Sequence, residues 1–84
     1  MTKWDKLLDR ILRGSSDANI SFDDLCGLLE RLGFARRTRG SHNVFRRADI
    51  VERPNLQRSG SNAKPYQVRQ IRNIILKYKL RDED

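Results

Sequence analysis

The chain has 84 residues, of which 18 are Lys or Arg and 11 are Asp or Glu, so its formal net charge at pH 7 is +7. This length supports one modest hydrophobic core and excludes large active-site architectures. The positive charge favours a polyanionic partner, either nucleic acid or an acidic protein. Since no apolar run approaches the roughly 20 residues of a bilayer span and the start lacks a secretory pattern, we expect a cytoplasmic protein with no membrane partner.

The chain contains a single cysteine, Cys26, and a single histidine, His42. One Cys cannot form an internal disulfide, and one Cys with one His cannot supply the three or four ligands of a zinc site. We therefore expect no metal, no cofactor and no small-molecule substrate, and we interpret Cys26 as a small buried hydrophobe.

Two amphipathic helices are predicted in the first part of the chain. A 3.6-residue apolar period predicts a helix over residues 3–13, which Thr2 caps and Gly14 ends. A capping-box pattern that begins at Ser21 starts a second helix, and Gly33 ends it. The predicted buried stripes are Trp4, Leu7, Leu8, Ile11 and Leu12 in the first helix, and Phe22, Leu25, Cys26, Leu29 and Leu32 in the second.

The next segment changes to the alternating period of β-structure. Residues 34–39 and 42–47 predict an antiparallel hairpin around the Gly40-Ser41 turn. A third strand is predicted over residues 50–56. It should lie at a sheet edge, because Pro54 cannot donate to a ladder.

A loop and a third helix complete the chain. Residues 58–64 are rich in Ser, Gly and Asn and predict a loop. Pro65 suits the first turn of a helix, and residues 81–84 are predicted to form a frayed acidic tail. The predicted buried face of this helix consists of Val68, Ile71, Ile75 and Tyr78.

The order helix, helix, three strands, helix predicts an α+β domain of two layers, with the helices on one face of an antiparallel sheet. We expect residues 1–84 to form one domain with its core in residues 20–80. From Phe22 onward the α-β-β-β-α order is that of the double-stranded-RNA-binding fold. Residues 1–14 are then an additional N-terminal helix, which serves either as more core or as a partner-binding face.

The charge is concentrated in the predicted sheet. Residues 34–58 carry +5 from seven basic and two acidic residues, against −1 for residues 1–33 (five and six) and +3 for residues 59–84 (six and three). Such a segment suits phosphate contacts, whose combined effect makes binding fall steeply with salt. Its strand-borne arginines are Arg36, Arg37, Arg39, Arg46, Arg47 and Arg53.

His42 is the candidate for chemistry. Strand alternation groups His42 with Val44 and Arg46 on the open, basic face, whereas Asn43 and Phe45 point towards the helices. Imidazole exchanges a proton near neutral pH without any perturbation. Among arginines that hold a phosphodiester, it can take the proton of a ribose 2′-hydroxyl for attack on the adjacent phosphorus, while the arginines stabilise charge in the transition state.

Two stretches carry a more specific pattern, namely R-G-S-H-N-V-F-R at residues 39–46 and G-S-N-A-K-P-Y-Q-V-R-Q-I-R at residues 60–72. Both resemble the HicA family of toxin mRNA interferases, in which G-S-H-x-x-F opens the second strand and K-P-x-x-x-[RK] begins the last helix. The resemblance covers about residues 22–80. Many members have a second histidine where this chain has Asn43.

The resemblance implies that His42 is the catalytic residue, with Gly40 and Ser41 shaping its turn. It also implies a toxin that cleaves mRNA as a metal-independent endonuclease and arrests growth. Its partner would then be a HicB-like antitoxin protein encoded alongside.

Lys64 is a second candidate contact, because a helix N-terminus offers free backbone N–H groups and positive potential to a phosphate. With Arg36, Arg39 and Arg46 it makes up the predicted RNA-binding set.

Two alternatives remain open on the sequence. A non-catalytic RNA-binding module of the same fold would need the basic surface and Lys64 but not His42. A small DNA-binding or adaptor protein is the other, although no helix-turn-helix pattern supports it.

Overall fold

The computed structural model describes residues 2–82, which form three α-helices, one 3-10 turn and five short strands. The helices are α1 (Lys3–Arg13), α2 (Phe22–Arg31) and α3 (Pro65–Tyr78), and the 3-10 turn is Asp17–Asn19. The strands are β1 (Ala35–Arg39), β2 (His42–Arg46), β3 (Asn55–Leu56), β4 (Arg58–Ser59) and β5 (Asn62–Ala63). The α+β class is confirmed. None of the described helices has the length and apolarity needed to cross a membrane.

The helices begin and end where their capping residues predict. The Thr2 hydroxyl accepts the Asp5 N–H at 3.2 Å, and the Asp5 carboxylate accepts the Thr2 N–H, which completes a capping box. The Ser21 hydroxyl caps α2 by accepting the Asp24 N–H at 3.3 Å. Gly14 ends α1 with φ of 73°, a left-handed conformation that favours glycine.

The main sheet is antiparallel in the order β1-β2-β3, so β2 is its central strand. The register pairs Arg39 with His42 at the turn and Ala35 with Arg46 at the far end. The turn between them has Gly40 at φ 59°, as a two-residue hairpin with glycine in first place requires. The predicted first hairpin is therefore confirmed.

The predicted third strand over residues 50–56 is wrong in extent, because only Asn55–Leu56 pairs with β2. A turn closed by the Ile50 N–H and the Arg47 carbonyl, 3.0 Å apart, leads the chain out of the sheet first. Pro54 offers only its carbonyl, which accepts the Phe45 N–H at 2.9 Å. The edge position of this strand is as predicted.

The predicted loop over residues 58–64 is also wrong, since β4 and β5 form a second antiparallel hairpin there. Its turn is Gly60-Ser61, with Gly60 at φ 64°. The Ala63 N–H donates to the Ile20 carbonyl at 2.9 Å, so this hairpin is held against the start of α2.

The hydrophobic core draws on every helix. The first helix contributes Leu7 and Ile11 to it. Its Trp4 ring packs on Gly27 of α2 so closely that a Cβ there would lie 2.6 Å from the ring. Cys26 is fully buried as predicted, and this burial raises the pKa of its thiol.

The last helix buries Val68, Ile71 and Ile75 as predicted, together with Ile74 and Gln67. Beyond the helix, Asp82 is not frayed, because its carboxylate lies 3.1 Å from the Arg31 guanidinium. The rest of the predicted acidic tail, residues 83 and 84, lies outside the described residues.

Candidate functional site

His42 is the first residue of β2 and its side chain is exposed on the open face of the main sheet. The two-residue Gly40-Ser41 turn sets it directly opposite Arg39, so both side chains project from the same face. The neighbouring Asn43 and Phe45 are buried on the other face. The predicted orientation of β2 is thus observed, with its histidine open to an incoming ligand.

Gln57 connects His42 to Lys64. The Gln57 amide nitrogen lies 3.1 Å from Nδ1 and 3.3 Å from Nε2 of His42. The amide oxygen of the same side chain accepts from the Lys64 ammonium at 3.4 Å. The two candidate residues that the sequence placed in separate motifs therefore belong to one site.

The side chain of Gln67 in α3 binds the main-chain N–H and carbonyl of Gln57. The Gln67 side chain is buried, with an exposed fraction of 1%. In the amide orientation that satisfies both groups, its nitrogen donates to the Gln57 carbonyl at 2.9 Å and its oxygen accepts the Gln57 N–H at 3.0 Å. Because this pair satisfies all the backbone polar groups of Gln57, it fixes where the Gln57 side chain begins.

Beside His42 the open face of the sheet carries a group of arginines, which we call the arginine face: Arg37, Arg39, Arg46 and Arg53. With Val44 these residues line an open cavity of about 300 Å³. A neighbouring cavity of about 580 Å³ shares Arg37, Arg46 and Arg53. Each arginine of the face thus borders a concave surface that a bound anion can enter.

The four guanidinium groups of the arginine face have no partners within the part of the protein that the structure describes, residues 2–82. Within these residues, none of them takes part in an ion pair or a side-chain hydrogen bond. Other arginines are committed to structure. Arg58 lies 2.7 Å from Asp23, and Arg72 lies 2.9 Å from Asp17. Arg47 donates to the Leu32 carbonyl at 2.8 Å.

The Arg36 guanidinium points away from the other predicted RNA contacts, although Arg36 and Arg46 both line the cavity of about 580 Å³. It pairs in register with buried Phe45, so its side chain leaves the opposite face of β1. Its guanidinium donates to the Asn43 amide oxygen at 2.9 Å and lies 3.6 Å from the Glu30 carboxylate. Arg36 therefore bridges the sheet to α2, while Arg39 and Lys64 remain next to the His42 site and Arg46 lies at the far end of β2 on the same face.

The residue types at the site define what it can do. His42 can exchange a proton, and the surrounding arginines and Lys64 can bind and neutralise a phosphodiester. In the described part of the chain, no three His, Cys, Asp or Glu side chains lie close enough together to hold a metal ion. The site therefore offers acid–base and electrostatic groups from its own side chains.

The sequence did not indicate that Gln57 and Gln67 belong to the site. It also did not indicate that Arg37 and Arg53 lack the partners that several other arginines have. A signal for Gln57 exists, because alternation from Leu56, which points to the core, places its successor on the His42 face. No local sequence pattern predicts the role of Gln67, because its partner Gln57 lies ten positions earlier and outside α3.

Comparison of the chain with protein-family models, with curated proteins and with solved structures finds no match.

Proposed function

We propose that this protein is a metal-independent endoribonuclease that cleaves mRNA in the cytoplasm, as the toxin of a HicA-like toxin–antitoxin system. The observation that carries the proposal is the exposed His42 imidazole beside the unpaired arginine face. Four uncompensated positive charges on one surface favour a polyanion. A proton-exchanging group at the edge of that surface gives the bound polyanion something to react with.

The proposed reaction uses the ribose of the RNA substrate itself. His42 takes the proton of a 2′-hydroxyl, and the 2′-oxygen forms a bond to the adjacent phosphorus. The bond from phosphorus to the 5′-oxygen of the next nucleotide breaks, and that oxygen takes a proton from solvent. Arg39, which lies opposite His42, and Lys64 stabilise the charge on the phosphoryl oxygens. The products carry a 2′,3′-cyclic phosphate and a free 5′-hydroxyl.

The order of elements supports the expected relation to the double-stranded-RNA-binding fold. From α2 onward the chain runs through three antiparallel strands to a final helix, with the β4–β5 hairpin inserted before it. The G-S-H and K-P motifs fall at the start of β2 and the start of α3, where the HicA resemblance expects them. These two agreements support the family assignment.

An acidic antitoxin is the partner that the same surface would bind. Docked over the arginine face, it would exclude RNA both sterically and by charge. Hydrogen exchange with and without a HicB-like antitoxin should show protection along β1 and β2. Protection confined to α1 would instead place inhibition away from the site.

The test of the proposed function is His42→Ala. Loss of a general base typically lowers a rate by 10²–10⁴-fold, so RNA cleavage should nearly disappear. RNA affinity should stay within about twofold, since the arginine face is intact, and the stability change should not exceed about 0.5 kcal/mol, as for an exposed substitution. Cleavage, RNA affinity and thermal melting are measured on the same preparation.

Asn55→Ala is the matched control, because Asn55 is exposed on the next strand and pairs with Val44 on the same face. It should cleave at the parental rate. Cleavage by His42→Ala at the parental rate would refute the proposal and favour the inert RNA-binding alternative. Cleavage in EDTA is expected, and its loss on chelation with recovery in Mg²⁺ would refute metal independence.

A further inference from the structure

Gln57 stands between the two charged ends of the site. Its amide nitrogen approaches both ring nitrogens of His42, at 3.1 and 3.3 Å, and its amide oxygen faces the Lys64 ammonium. No motif of the sequence includes Gln57. Its contacts nevertheless constrain the histidine more directly than those of any other described side chain.

Lys64 determines which end of the Gln57 amide faces His42. An ammonium group has three donors and no acceptor, so it binds the amide oxygen and repels the amide NH₂ group. Reversal of the amide would direct NH₂ at the ammonium group. The orientation with the oxygen on Lys64 and the nitrogen on His42 is therefore the favourable one.

A donor that faces the ring favours one charge state of His42. A protonated imidazole carries a positive charge that the positive end of the amide dipole repels, whereas a neutral imidazole carries none. The positive end of the amide therefore stabilises the neutral ring relative to the charged one. Because no atom in the plane of the ring can lie 3.1 and 3.3 Å from the two ring nitrogens without overlapping a ring carbon, the amide nitrogen lies over the ring face and leaves the in-plane lone pair of the neutral ring free to accept a proton.

The positively charged groups on the same side of the sheet as His42 also favour its neutral form. Arg39 faces it from β1 and Lys64 from the start of α3, while Arg46 lies farther along β2 on the same face. In residues 2–82 no ion pair involves His42, so no carboxylate opposes these cations. The buried Gln67 holds the main chain of Gln57 whatever side chain stands there.

We propose that Gln57 is a positioning residue that keeps the His42 ring in its neutral, proton-accepting form, with Lys64 setting the orientation of its amide. This inference rests on the proposed function, in which His42 is the general base. It adds that the base is prepared by an uncharged side chain in place of the carboxylate that commonly orients a catalytic histidine.

Gln57→Glu tests the inference, because a carboxylate of the same size accepts from His42 and favours the protonated ring. His42 is the only histidine of the chain, so its ring nitrogens are assigned without ambiguity in ¹⁵N NMR spectra. The pH at which half of the rings are protonated should rise by about one unit or more in Gln57→Glu. Gln57→Met, which removes the donor without adding charge, should give a smaller rise.

Asn55→Asp is the matched control, since it adds the same charge on the same face. It should move the NMR midpoint by less than half as much as Gln57→Glu. Equal shifts in the two variants, or no shift in Gln57→Glu, would overturn the inference.

Cleavage separates this inference from the proposed function. The acid limb of the kcat/KM profile should move to higher pH together with the NMR midpoint, and activity should recover at high pH. If the midpoint moves and the cleavage profile does not, Gln57 controls the ring but His42 is not the base, which overturns the proposed function.

Discussion

Asn43 is the residue that ties the three strands of the main sheet together. Its amide oxygen accepts from the Arg36 guanidinium and from the Thr38 hydroxyl, each at 2.9 Å, and its amide nitrogen donates to the Leu56 carbonyl at 3.3 Å. The side chain is buried, with an exposed fraction of 6%. The position where many HicA proteins have a second histidine is therefore occupied here by a structural hydrogen-bonding centre on the face opposite His42.

Asn43→Ala should destabilise the protein by about 1–3 kcal/mol, because the buried Leu56 carbonyl loses its donor and Arg36 and Thr38 of β1 lose their shared acceptor. The free energy of unfolding is measured by urea denaturation. Asn73→Ala, at an exposed position of α3, is the control and should change it by no more than about 0.5 kcal/mol. A loss in Asn43→Ala no larger than in this control would contradict the role assigned to Asn43.

At the scale of elements, two hairpins of the same design frame the site. Each turns on a Gly-Ser pair whose glycine has positive φ, Gly40 at 59° and Gly60 at 64°. The first turn places His42 at the head of β2, and the second returns the chain to Lys64 at the start of α3. The second Gly-Ser pair, which lies between two short polar segments, is the sequence signal for the second hairpin. The Ser-, Gly- and Asn-rich composition of this segment indicates a loop instead.

The segment between β2 and β3 leaves the sheet and is anchored to α3 instead. The Lys77 ammonium lies 2.9 Å from the Glu52 carboxylate, and the Tyr78 hydroxyl donates to that carboxylate at 2.7 Å. Hydrogen bonds from Lys77 first and Tyr78 second lower the pKa of Glu52 from 4.5 to about 2. The hydrogen bond that Lys77 donates to Glu52 in turn raises the pKa of Lys77.

The depressed pKa of Glu52 predicts a pH dependence with a definite sign. Since the folded value of about 2 lies below the ordinary 4.5, the stabilisation is complete above pH 4.5 and is lost as the pH falls through about 2. Glu52→Gln removes it. Melting temperatures from pH 6 to pH 2 should therefore show the variant below the parent at pH 6 and the two converging at low pH.

Lys77→Met removes the partner charge and should give a similar convergence. Other carboxylates titrate in all three proteins, so only the difference between the curves is informative. Melting curves that stay parallel over the whole range would contradict the anchoring role of Glu52.

At the scale of the whole molecule, ion pairing divides the arginines into two groups. Arg58 and Arg72 link distant segments through Asp23 and Asp17 and so contribute to the fold. Arg37, Arg39, Arg46 and Arg53 form the arginine face and have no carboxylate partner within residues 2–82. Four positive charges without a carboxylate partner therefore lie together on one surface, which suits a phosphate backbone.

RNA binding should accordingly weaken steeply with salt, and each phosphate contact that is removed should lower the slope of log affinity against log salt by about 0.7 for a single strand. Single substitutions to Gln at positions of the arginine face are measured by fluorescence anisotropy at several salt concentrations. Arg58→Gln is the matched control, because its guanidinium is held by Asp23, and it should leave the slope unchanged. An equal fall in slope for Arg58→Gln would show that total charge, and not the arginine face, controls binding.

The elements that could be predicted from the sequence are those stabilised by interactions between residues close together in the chain. The caps at Thr2 and Ser21, the Gly40-Ser41 turn and the 3.6-residue stripes of the helices act within a few residues, so they are legible in the chain. The face on which His42 lies followed from strand alternation and the bulk of Phe45. The ends of the third strand did not follow, because a turn after Arg47 and a hydrogen bond to Pro54 determine them.

The surroundings of His42, and the set of arginines that have no carboxylate partner, depend on contacts between distant segments and could not be predicted from the sequence. Gln57 reaches His42 across 15 positions of sequence, and its amide is oriented by Lys64. Arg58 meets Asp23 across 35 positions and Arg72 meets Asp17 across 55, whereas the arginine face meets no carboxylate in the described chain. The amino-acid composition does not distinguish arginines that have a carboxylate partner from arginines that have none. Whether a guanidinium is neutralised depends on which distant segments fold against it, because an ion pair requires contact within a few ångströms in space and sets no limit on separation along the chain.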